Sequence, residues 1–391
     1  MNKKFITYLV SFAAFFGPFT QSIYTPLLPE VQEQFHTSEY MVNLTISIFT
    51  IVLAIMQIVY GPLIDAHGRR KILLPGILLY IAASIGAALS GSVYLLLFFR
   101  VWQAAGMAVG SVVATTVIGD LFEGKLRGRA MGTFQMLVAL GPAVGPVIGG
   151  FVGQYFGFHG VFWVLAFAGL ILWALNYTYL PETKPASFSG NRFKLRDFSD
   201  ILSRPTGAAI IVLGFVQYFT FYVFLVFLPS LLVLFYQLSP SQNGLVFLPL
   251  ALSVVLGSII GGRIQEHFEP KKFLLTTASI NVAATLLFVL AAPVSLAVLI
   301  ASISFFGLCL GLSLPVQTTL LTNEFQHNRA TAIGIYNFFR FLGMGAGPLV
   351  GTYFYHIGNR VEFVFAGTAF GVAVAFAAVQ FSRSRRREEV S

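Results

Sequence analysis

Residues 132–150 read GTFQMLVALGPAVGPVIGG, and residues 334–351 read GIYNFFRFLGMGAGPLVG. Both stretches follow the pattern G-x8-G-x3-G-P-x2-G, and the second begins 202 positions after the first (334 − 132). A second pair of stretches, GPLIDAHGRRKILL from Gly61 and GGRIQEHFEPKKFLL from Gly261, repeats after 200 positions. Agreement at so many glycines is improbable by chance, so the chain consists of two homologous halves.

The composition is typical of a protein that crosses a membrane many times. The 391 residues are 57% hydrophobic and only 10% charged, whereas soluble proteins carry about 25% charged residues. Apolar stretches of about 20 residues, the length needed to cross a bilayer, recur from end to end. The sequence therefore predicts an all-α polytopic membrane protein, with twelve transmembrane helices in two pseudo-symmetric six-helix bundles. The predicted spans are about 5–28, 41–63, 72–90, 93–118, 130–156, 160–180, 207–236, 243–265, 272–291, 294–322, 330–356 and 361–382.

The repeat also predicts the domain boundaries. Residues 1–180 are expected to form the first bundle, 181–206 a polar cytoplasmic linker, and 207–391 the second bundle with a basic cytoplasmic tail. Two parallel halves of six helices are a known architecture of membrane transporters.

The basic residues predict the orientation of the chain. With the N-terminus in the cytoplasm, all of the 24 Lys and Arg residues except Arg100, Arg340 and Arg360 fall on the inner side. This bias follows the positive-inside rule, so the net charge of +9 reports topology in a cell membrane and not nucleic-acid binding. The single cysteine, Cys309, permits neither a disulfide within the chain nor a cysteine-based metal site. We expect a monomer in the lipid bilayer with no cofactor and no metal.

Several motifs resemble those of one family. Residues 61–70 (GPLIDAHGRR) are similar to the loop signature G-x-x-x-D-x-x-G-R-K/R of the major facilitator superfamily. Residues 100–106 (RVWQAAG) resemble its fourth-helix signature R-x-x-Q-G-x-G, with Ala104 in place of the first glycine. Residues 132–150 match the fifth-helix signature of its antiporters at every fixed position, and Leu180-Pro-Glu-Thr is also common there. The resemblance covers the whole chain and is closest to twelve-helix drug:proton antiporters of the bacterial multidrug-efflux type.

The loop signature implies a latch on the inner side. Gly61 and Gly68 are expected to allow the tight turn after the second helix. By resemblance, Asp65 faces the N-terminus of the eleventh helix, and Arg69 pairs with Asp120. Ala66 stands where the family usually has a basic residue. Alternatively, Arg69, Arg70 and Lys71 only anchor the topology.

The glycine-rich helices are predicted to form the seam between the two bundles. Glycines spaced by four share one face and allow close backbone approach, and prolines bend the helix. The alternative is ordinary tight packing. The predicted seam residues are Gly132, Gly141, Pro142, Gly145, Pro146, Gly149 and Gly150, with Gly343, Gly347, Pro348 and Gly351 in the second half.

Two arginines lie inside predicted spans, where a charge is costly and indicates a functional site. Arg100 is predicted to serve proton transfer or to hold the fourth helix to a neighbour; the alternative is an arginine snorkelling to the interface. Arg340 and Asn337, one turn apart, are predicted to face a central cavity.

Proton antiport normally needs a buried carboxylate, but no acid lies in the middle of a predicted span. Ser22-Ile-Tyr24-Thr-Pro-Leu-Leu-Pro29 has a serine where the related sequences have an aspartate. The remaining candidates for the coupling proton are Glu30, Asp65, Asp120 and Glu324. Without such a carboxylate, the cavity favours neutral or anionic molecules beside Arg340.

Polar residues within the apolar spans are candidates for lining an aromatic cavity, although each could instead make an interhelical hydrogen bond. Such a cavity suits small amphipathic, drug-like compounds. The sequence therefore predicts an exporter working by alternating access with proton antiport; the alternative is an exporter or facilitator of one metabolite, without protons. An enzyme is not expected, because no histidine lies in mid-span, and a channel fits two rocking halves poorly. The cavity candidates are Gln21, Tyr24, Asn43, Ser47, Gln217, Tyr218, Phe221, Tyr222, Gln317 and Asn337.

Overall fold

A computed structural model describes residues 2–122, 124–184, 195–325, 329–358 and 360–390. The described residues are almost entirely helical and contain no strand. The helices are α1 (Lys3–Ser22), α2 (Leu28–Gln34), α3 (Glu39–His67), α4 (Arg69–Ala88), α5 (Val93–Leu121), α6 (Gly124–Tyr179), α7 (Leu195–Ser203), α8 (Pro205–Tyr236), α9 (Pro240–Ile264), α10 (Pro270–Ala291), α11 (Leu296–Glu324), α12 (Arg329–Tyr355) and α13 (Val361–Val390), with 3₁₀ turns at Thr25–Leu27 and Gln265–His267.

These helices account for the twelve predicted spans, so the predicted fold class is confirmed. Ten helices among the described residues are long and apolar enough to cross a membrane. One of them, α6, contains both the fifth and the sixth span, joined at Gly157, the one residue of this helix with non-helical dihedral angles (φ 62°, ψ −174°). α12 is not among the ten, because the polar Asn337 and Arg340 lower its mean hydropathy.

The first predicted span, 5–28, is not one helix. α1 ends at Ser22, and the chain continues through the 3₁₀ turn at Thr25–Leu27 into α2. Pro26 lies in this turn, and a proline has no backbone N–H to donate to a preceding carbonyl. The hydroxyl of Thr25 instead donates to the carbonyl of Ser22 at 2.8 Å. The proline motif therefore converts the end of the first span into a bend.

The chain divides into two compact units. The first unit contains Met1–Arg192 and Leu238–Leu245, and the second contains Phe193–Gln237 and Val246–Ser391. The start of α9 thus belongs to the first unit, although it follows the predicted linker in the sequence. Part of that linker is helical, as α7, and its Ile201 is buried in the apolar core of the second unit.

The glycines of α6 bring its backbone onto α1. A Cβ atom at Gly141 would lie 2.8 Å from the backbone nitrogen of Phe19, and one at Gly145 or Gly149 would collide with Ser22 or Ile23. Only glycine permits this approach at all three positions. The predicted prolines, Pro142 and Pro146, lie within α6 without interrupting its helical dihedral angles.

The repeated glycines build the same kind of contact in the second unit. Gly343 and Gly347 of α12 lie against the backbone of Phe215 and Phe219 of α8, and Gly351 meets the ring of Phe227. Among the described residues, the α1–α6 and α8–α12 pairs make the most extensive helix contacts.

Gly141, Gly145 and Gly149 therefore face α1 of their own unit, and their predicted place at the seam between the bundles stays a prediction. A spacing of four residues determines the shared face, but it does not identify the neighbouring helix. Gly150 lies on another face, against Pro240 and Gly244 within the first unit, whereas a Cβ at Gly132 would meet nothing. The wider role of α6 and α12 as seam helices stays a prediction.

Candidate functional site

The inner loop of the first unit is organised around Arg69. This residue begins α4, and its side chain is fully buried. Its Nε donates to Asp120 Oδ2 at 2.9 Å and its Nη2 to Asp120 Oδ1 at 3.4 Å, so the guanidinium holds both carboxylate oxygens. Its Nη1 donates to the carbonyl of Ile64 at 3.3 Å, and Asp65 Oδ1 lies 3.7 Å from Nη2. The structure therefore brings Arg69, Asp65 and Asp120 into one ion-pair network.

Glu182 completes this network at the start of α4. Its carboxylate accepts the backbone N–H of Arg69 at 2.8 Å, where the N-cap residue, Gly68, has no side chain to serve as a cap. Thr183 adds a hydrogen bond from its hydroxyl to Asp120 at 3.0 Å. Lys184 donates to the carbonyl of Ala66 at 2.8 Å. The segment that closes the first half therefore fastens the loop, a role that sequence reasoning missed.

The electrostatics of Glu182 follow from these contacts. Partial burial raises the pKa of its carboxyl, but the backbone N–H donors around it outweigh burial and hold the pKa below its ordinary value. The carboxylate is therefore the stable form next to Arg69.

Gly68 makes the turn, and Gly61 does not. Gly68 has a φ of 102°, and a Cβ atom there would lie 2.7 Å from the carboxyl carbon of Glu182. Gly61 is inside α3, which runs on to His67, so the predicted turn at Gly61 is wrong. The helical hydrogen bonds continue past Pro62 because a single proline removes only one donor. Arg70 donates to the carbonyl of Tyr177 at 2.6 Å, which ties α4 to the end of α6.

Arg100 lies at the centre of the first unit with none of its surface exposed. Its Nε donates to the carbonyl of Thr45 on α3, and its Nη1 donates to the carbonyl of Thr20 on α1, at 3.2 and 3.3 Å. The same Nη1 binds Gln103 Oε1 at 2.8 Å, and Gln103 donates to Ser84 on α4 at 2.8 Å. The guanidinium thus joins α5 to α1 and α3, and Gln103 extends the network to α4.

Aromatic rings enclose the same charge. The guanidinium carbon of Arg100 lies 4.1 Å from the ring centre of Phe49 and 4.9 Å from that of Tyr24. Such cation–π contacts stabilise a charge that is removed from water. No carboxylate among the described residues pairs with Arg100. The snorkelling alternative is wrong, because the side chain binds carbonyls on neighbouring helices within the unit.

The cavity candidates of the first unit are all buried. Gln21 donates to the hydroxyl of Thr50, an interhelical hydrogen bond of the kind that the sequence left open. Tyr24, Asn43 and Ser47 are also buried, and the hydroxyls of Tyr24 and Ser47 have no hydrogen-bond partner. These side chains pack between helices of one unit.

Arg340 is the centre of a polar cluster in the second unit, made with Tyr218, Asn337 and Tyr336. Its Nη1 donates to Asn337 Oδ1 at 3.0 Å, and its Nη2 donates to the hydroxyl of Tyr218. The guanidinium carbon lies 4.0 Å from the ring centre of Tyr218 and 5.2 Å from that of Tyr336. Arg340, Tyr218 and Asn337 are each partly exposed. We call these four residues the Arg340 cluster.

A chain of amides continues from the cluster. The hydroxyl of Tyr336 donates to Gln317 Oε1 at 2.8 Å, and Gln317 donates in turn to Gln217. Gln217 donates to the hydroxyl of Ser313 at 2.8 Å. α8, α11 and α12 are therefore joined by hydrogen bonds that begin beside Arg340.

Two further aromatic candidates flank the cluster. The ring of Phe221 lies 6.3 Å from that of Tyr218 and 5.7 Å from that of Tyr222, centre to centre. Phe221 and Tyr222 are both buried. The cluster thus has an aromatic wall on α8.

Glu30, the candidate at the end of the first span, lies on α2. A Cβ atom at Gly157 would come within 3.2 Å of Glu30 Oε1, so the carboxylate sits at the kink of α6. His159, two residues further along α6, contacts Gln34 of α2 at 3.2 Å and the carbonyl of Ala88 at 2.8 Å.

Two units that each contain a repeated six-helix bundle, with polar clusters buried among apolar helices, define a secondary transporter built by duplication. The sequence profile of the Major Facilitator Superfamily matches residues 10–348 and, in a second alignment, residues 210–391. The chain belongs to the Major Facilitator Superfamily.

The relatives of the chain include exporters. Over 183 residues it is 36% identical to citrate exporter 1 of Aspergillus niger. This alignment covers 46% of this chain and 35% of that protein. It is 32% identical over 190 residues to multidrug transporter AQR1 of Candida glabrata, covering 49% of this chain and 32% of the other. The chain thus spans about a third of the length of these fungal relatives. The uncharacterized MFS-type transporter YdgK of Bacillus subtilis is 28% identical over 88% of both chains.

Solved structures share the fold. The bacterial homolog of the human lysosomal transporter Spinster, in an inward-facing and unoccupied conformation, aligns with a TM-score of 0.83. The alignment covers 98% of this chain and 97% of the other at 18% sequence identity. At this identity the likeness concerns the fold.

Proposed function

We propose that this protein exports small amphipathic organic compounds across the cell membrane by alternating access, in exchange for protons. The observation that carries the proposal is the antiporter signature in α6, whose Gly141, Gly145 and Gly149 place the backbone of α6 against α1. The names of the fungal relatives, a citrate exporter and a multidrug transporter, support export. The aromatic wall and hydrogen-bonding groups of the Arg340 cluster suit an amphipathic solute.

Glu30 is the residue to which we assign the coupling proton. The other candidates are bound to arginines: Asp65 and Asp120 to Arg69, and Glu324 to Arg204 at 3.4 Å. No basic side chain that the structure describes lies within 4.0 Å of Glu30. His159 acts on Glu30 electrostatically but forms no ion pair with it, so this carboxylate can gain and lose a proton without breaking an ion pair.

A second candidate is the export of one metabolite without protons. It is favoured by the absence of an acid from the middle of every predicted span and by Ser22 at the position of the family's aspartate.

Proteoliposomes distinguish the two candidates. The purified chain is reconstituted with a pH-sensitive dye inside the vesicles, and a panel of aromatic and aliphatic compounds is added. Proton antiport predicts a pH change that depends on the compound and is lost in Glu30→Gln. The matched control is Glu33→Gln, an exposed acid on the same helix, which should retain the pH change. Movement of compounds without protons supports the second candidate, and no movement of any compound refutes both.

A further inference from the structure

The positive charge of Arg340 has no carboxylate beside it among the described residues. The helices α8 to α13 contain only four acids, Glu324, Glu362, Glu388 and Glu389, each near a helix end. Glu324 pairs with Arg204. Among the residues that the structure describes, no carboxylate oxygen lies within 4.0 Å of the Arg340 guanidinium. The charge is therefore held by neutral groups alone.

Its depth makes this charge costly. At a rise of 1.5 Å per residue, Arg340 is roughly 17 Å from the first residue of α12 and roughly 22 Å from the last. The side chain cannot extend to either end of a helix at that distance. A charge in the middle of a membrane span is retained when it serves a function.

The neutral groups orient the guanidinium of Arg340 but accept only some of its N–H hydrogen bonds. An arginine side chain has five N–H groups, and the hydrogen bonds here use two of them, to Asn337 and to the hydroxyl of Tyr218. Nε has no partner, although it is buried. The planar fork of arginine matches a carboxylate, which accepts two parallel N–H bonds. The guanidinium of Arg340 is thus held in place while some of its N–H donors still lack an acceptor.

Access distinguishes Arg340 from the other intramembrane arginine. Arg100 is completely buried and bound to carbonyls on two neighbouring helices. Arg340, Tyr218 and Asn337 are partly exposed, so a solute can reach them. The partly exposed ring of Tyr218 provides an apolar surface next to the charge, and the buried ring of Phe221 packs against it.

We infer that the transported compounds are organic anions, an apolar body with a carboxylate, and that Arg340 binds the carboxylate. This inference rests on the proposed export function and specifies its substrate class. The anion supplies the negative charge that the Arg340 cluster lacks, so binding neutralises Arg340. Tyr218 and Asn337 are positioning residues, since they hold the guanidinium.

Matched compounds of different charge test the inference. Proteoliposomes containing the full chain are supplied with radiolabelled phthalate, its neutral diamide phthalamide, and trimethylphenylammonium, and with naphthoate and citrate as further anions. We expect saturable transport of at least one anion, at least tenfold faster than that of the neutral or cationic compounds. Transport of phthalamide or trimethylphenylammonium at the rate of the anions refutes the inference but leaves the export proposal intact. If no compound of any charge moves, both fail.

Variants then assign the charge to Arg340. Arg340→Gln should reduce anion transport at least tenfold. The control is Arg383→Gln, which replaces an exposed arginine near the end of α13 and should have no effect on transport. Tyr218→Phe keeps the ring and removes the hydroxyl that holds Nη2, so it should raise KM for anions and leave kcat nearly unchanged. If Arg340→Gln does not fold, Arg340→Lys keeps the charge and loses the fork, and it should also raise KM. Unchanged anion transport in folded Arg340→Gln or Arg340→Lys overturns the assignment.

Discussion

The two copies of the repeated loop each join two long helices, but they carry their charges differently. In the first copy, Arg69 and Asp120 form an ion pair 2.9 Å long, with side chains 0% and 13% exposed. In the second copy, Glu269 stands 200 positions after Arg69 and pairs with Lys272 at 2.7 Å, with side chains 49% and 72% exposed. One copy is an interior network, and the other is a pair on the surface. Among the described residues, only the first copy of the loop thus carries a buried ion-pair network.

The intramembrane arginines show the same division. An offset of 202 pairs Arg100 with Ser302 and Arg340 with Val138, so neither charge has a counterpart in the other half. Arg100 connects helices inside the first unit, whereas Arg340 lies in a partly exposed cluster of the second. The first half therefore buries its arginine in hydrogen bonds between helices, and the second half leaves its arginine partly exposed.

The largest expected difference between the halves concerns the two ion pairs. Arg69→Gln leaves the carboxylate of Asp120 without its partner, and breaking a buried pair costs about 3–5 kcal/mol. Glu269→Gln removes one member of an exposed pair, which contributes about 0–1 kcal/mol. Cys309 is buried and is the only cysteine, so a thiol-reactive dye reports unfolding during a thermal scan in detergent.

The double variant Arg69→Gln/Asp120→Asn is the control for the first ion pair. It removes both charges and should recover part of the lost stability. Equal shifts in the unfolding temperature for Arg69→Gln and Glu269→Gln would show that the two loops are equivalent.

A second comparison replaces each intramembrane arginine by lysine. Arg100→Lys should lower the unfolding temperature, because one ammonium group cannot reach Thr20, Thr45 and Gln103 together. Hydrogen bonds to charged groups contribute about 1.5–3 kcal/mol each. Arg340→Lys should change stability little, since its two hydrogen-bond partners, Tyr218 and Asn337, are partly exposed. The prediction fails if the order of the two unfolding temperatures is reversed.

Alanine at equivalent glycines should give opposite results. A Cβ atom at Gly261 would meet the backbone of Leu312, with the Leu312 Cα 2.8 Å away, so Gly261→Ala should destabilise by about 1–3 kcal/mol. A Cβ atom at Gly61 meets nothing within 4 Å. Gly61→Ala should be neutral or should stabilise by up to about 1 kcal/mol, because alanine favours the helix. Unfolding in denaturant measures both, and a loss of stability in Gly61→Ala would contradict the packing described for α3.

The smallest expected effect concerns pH. The pKa of Glu182 is lowered in the folded chain, so its carboxylate contributes stability above its ordinary value of 4.5, and this contribution is lost as pH falls through the lowered pKa. Glu182→Gln should therefore unfold at a lower temperature than the wild type at pH 7, and the gap should narrow under acidic conditions. Glu33→Gln, an exposed acid outside the latch, is the reference. A gap that widens with acid would reverse the sign of the argument.

The membrane fold was predictable from the sequence because length, apolarity and the Lys/Arg bias are properties of single segments. The ends of the helices were less predictable, because α1 stops at Ser22 before Pro26, and α3 continues through Gly61. The glycine spacing predicted a smooth face on α6, but the neighbour of that face depends on how the helices pack. Glu182 was missed because its partner, Arg69, lies 113 positions away, and no local pattern records that proximity.

The kink at Gly157 has a mechanical consequence. α6 carries two spans and reverses between them at one residue, with Gly149 on one side locked to α1 and His159 on the other hydrogen-bonded to the carbonyl of Ala88. Because only one residue separates the two arms, we expect a tilt of one arm to be passed to the other. Lengthening the kink with inserted glycines would uncouple the arms, and the fifth span could then move without dragging the sixth.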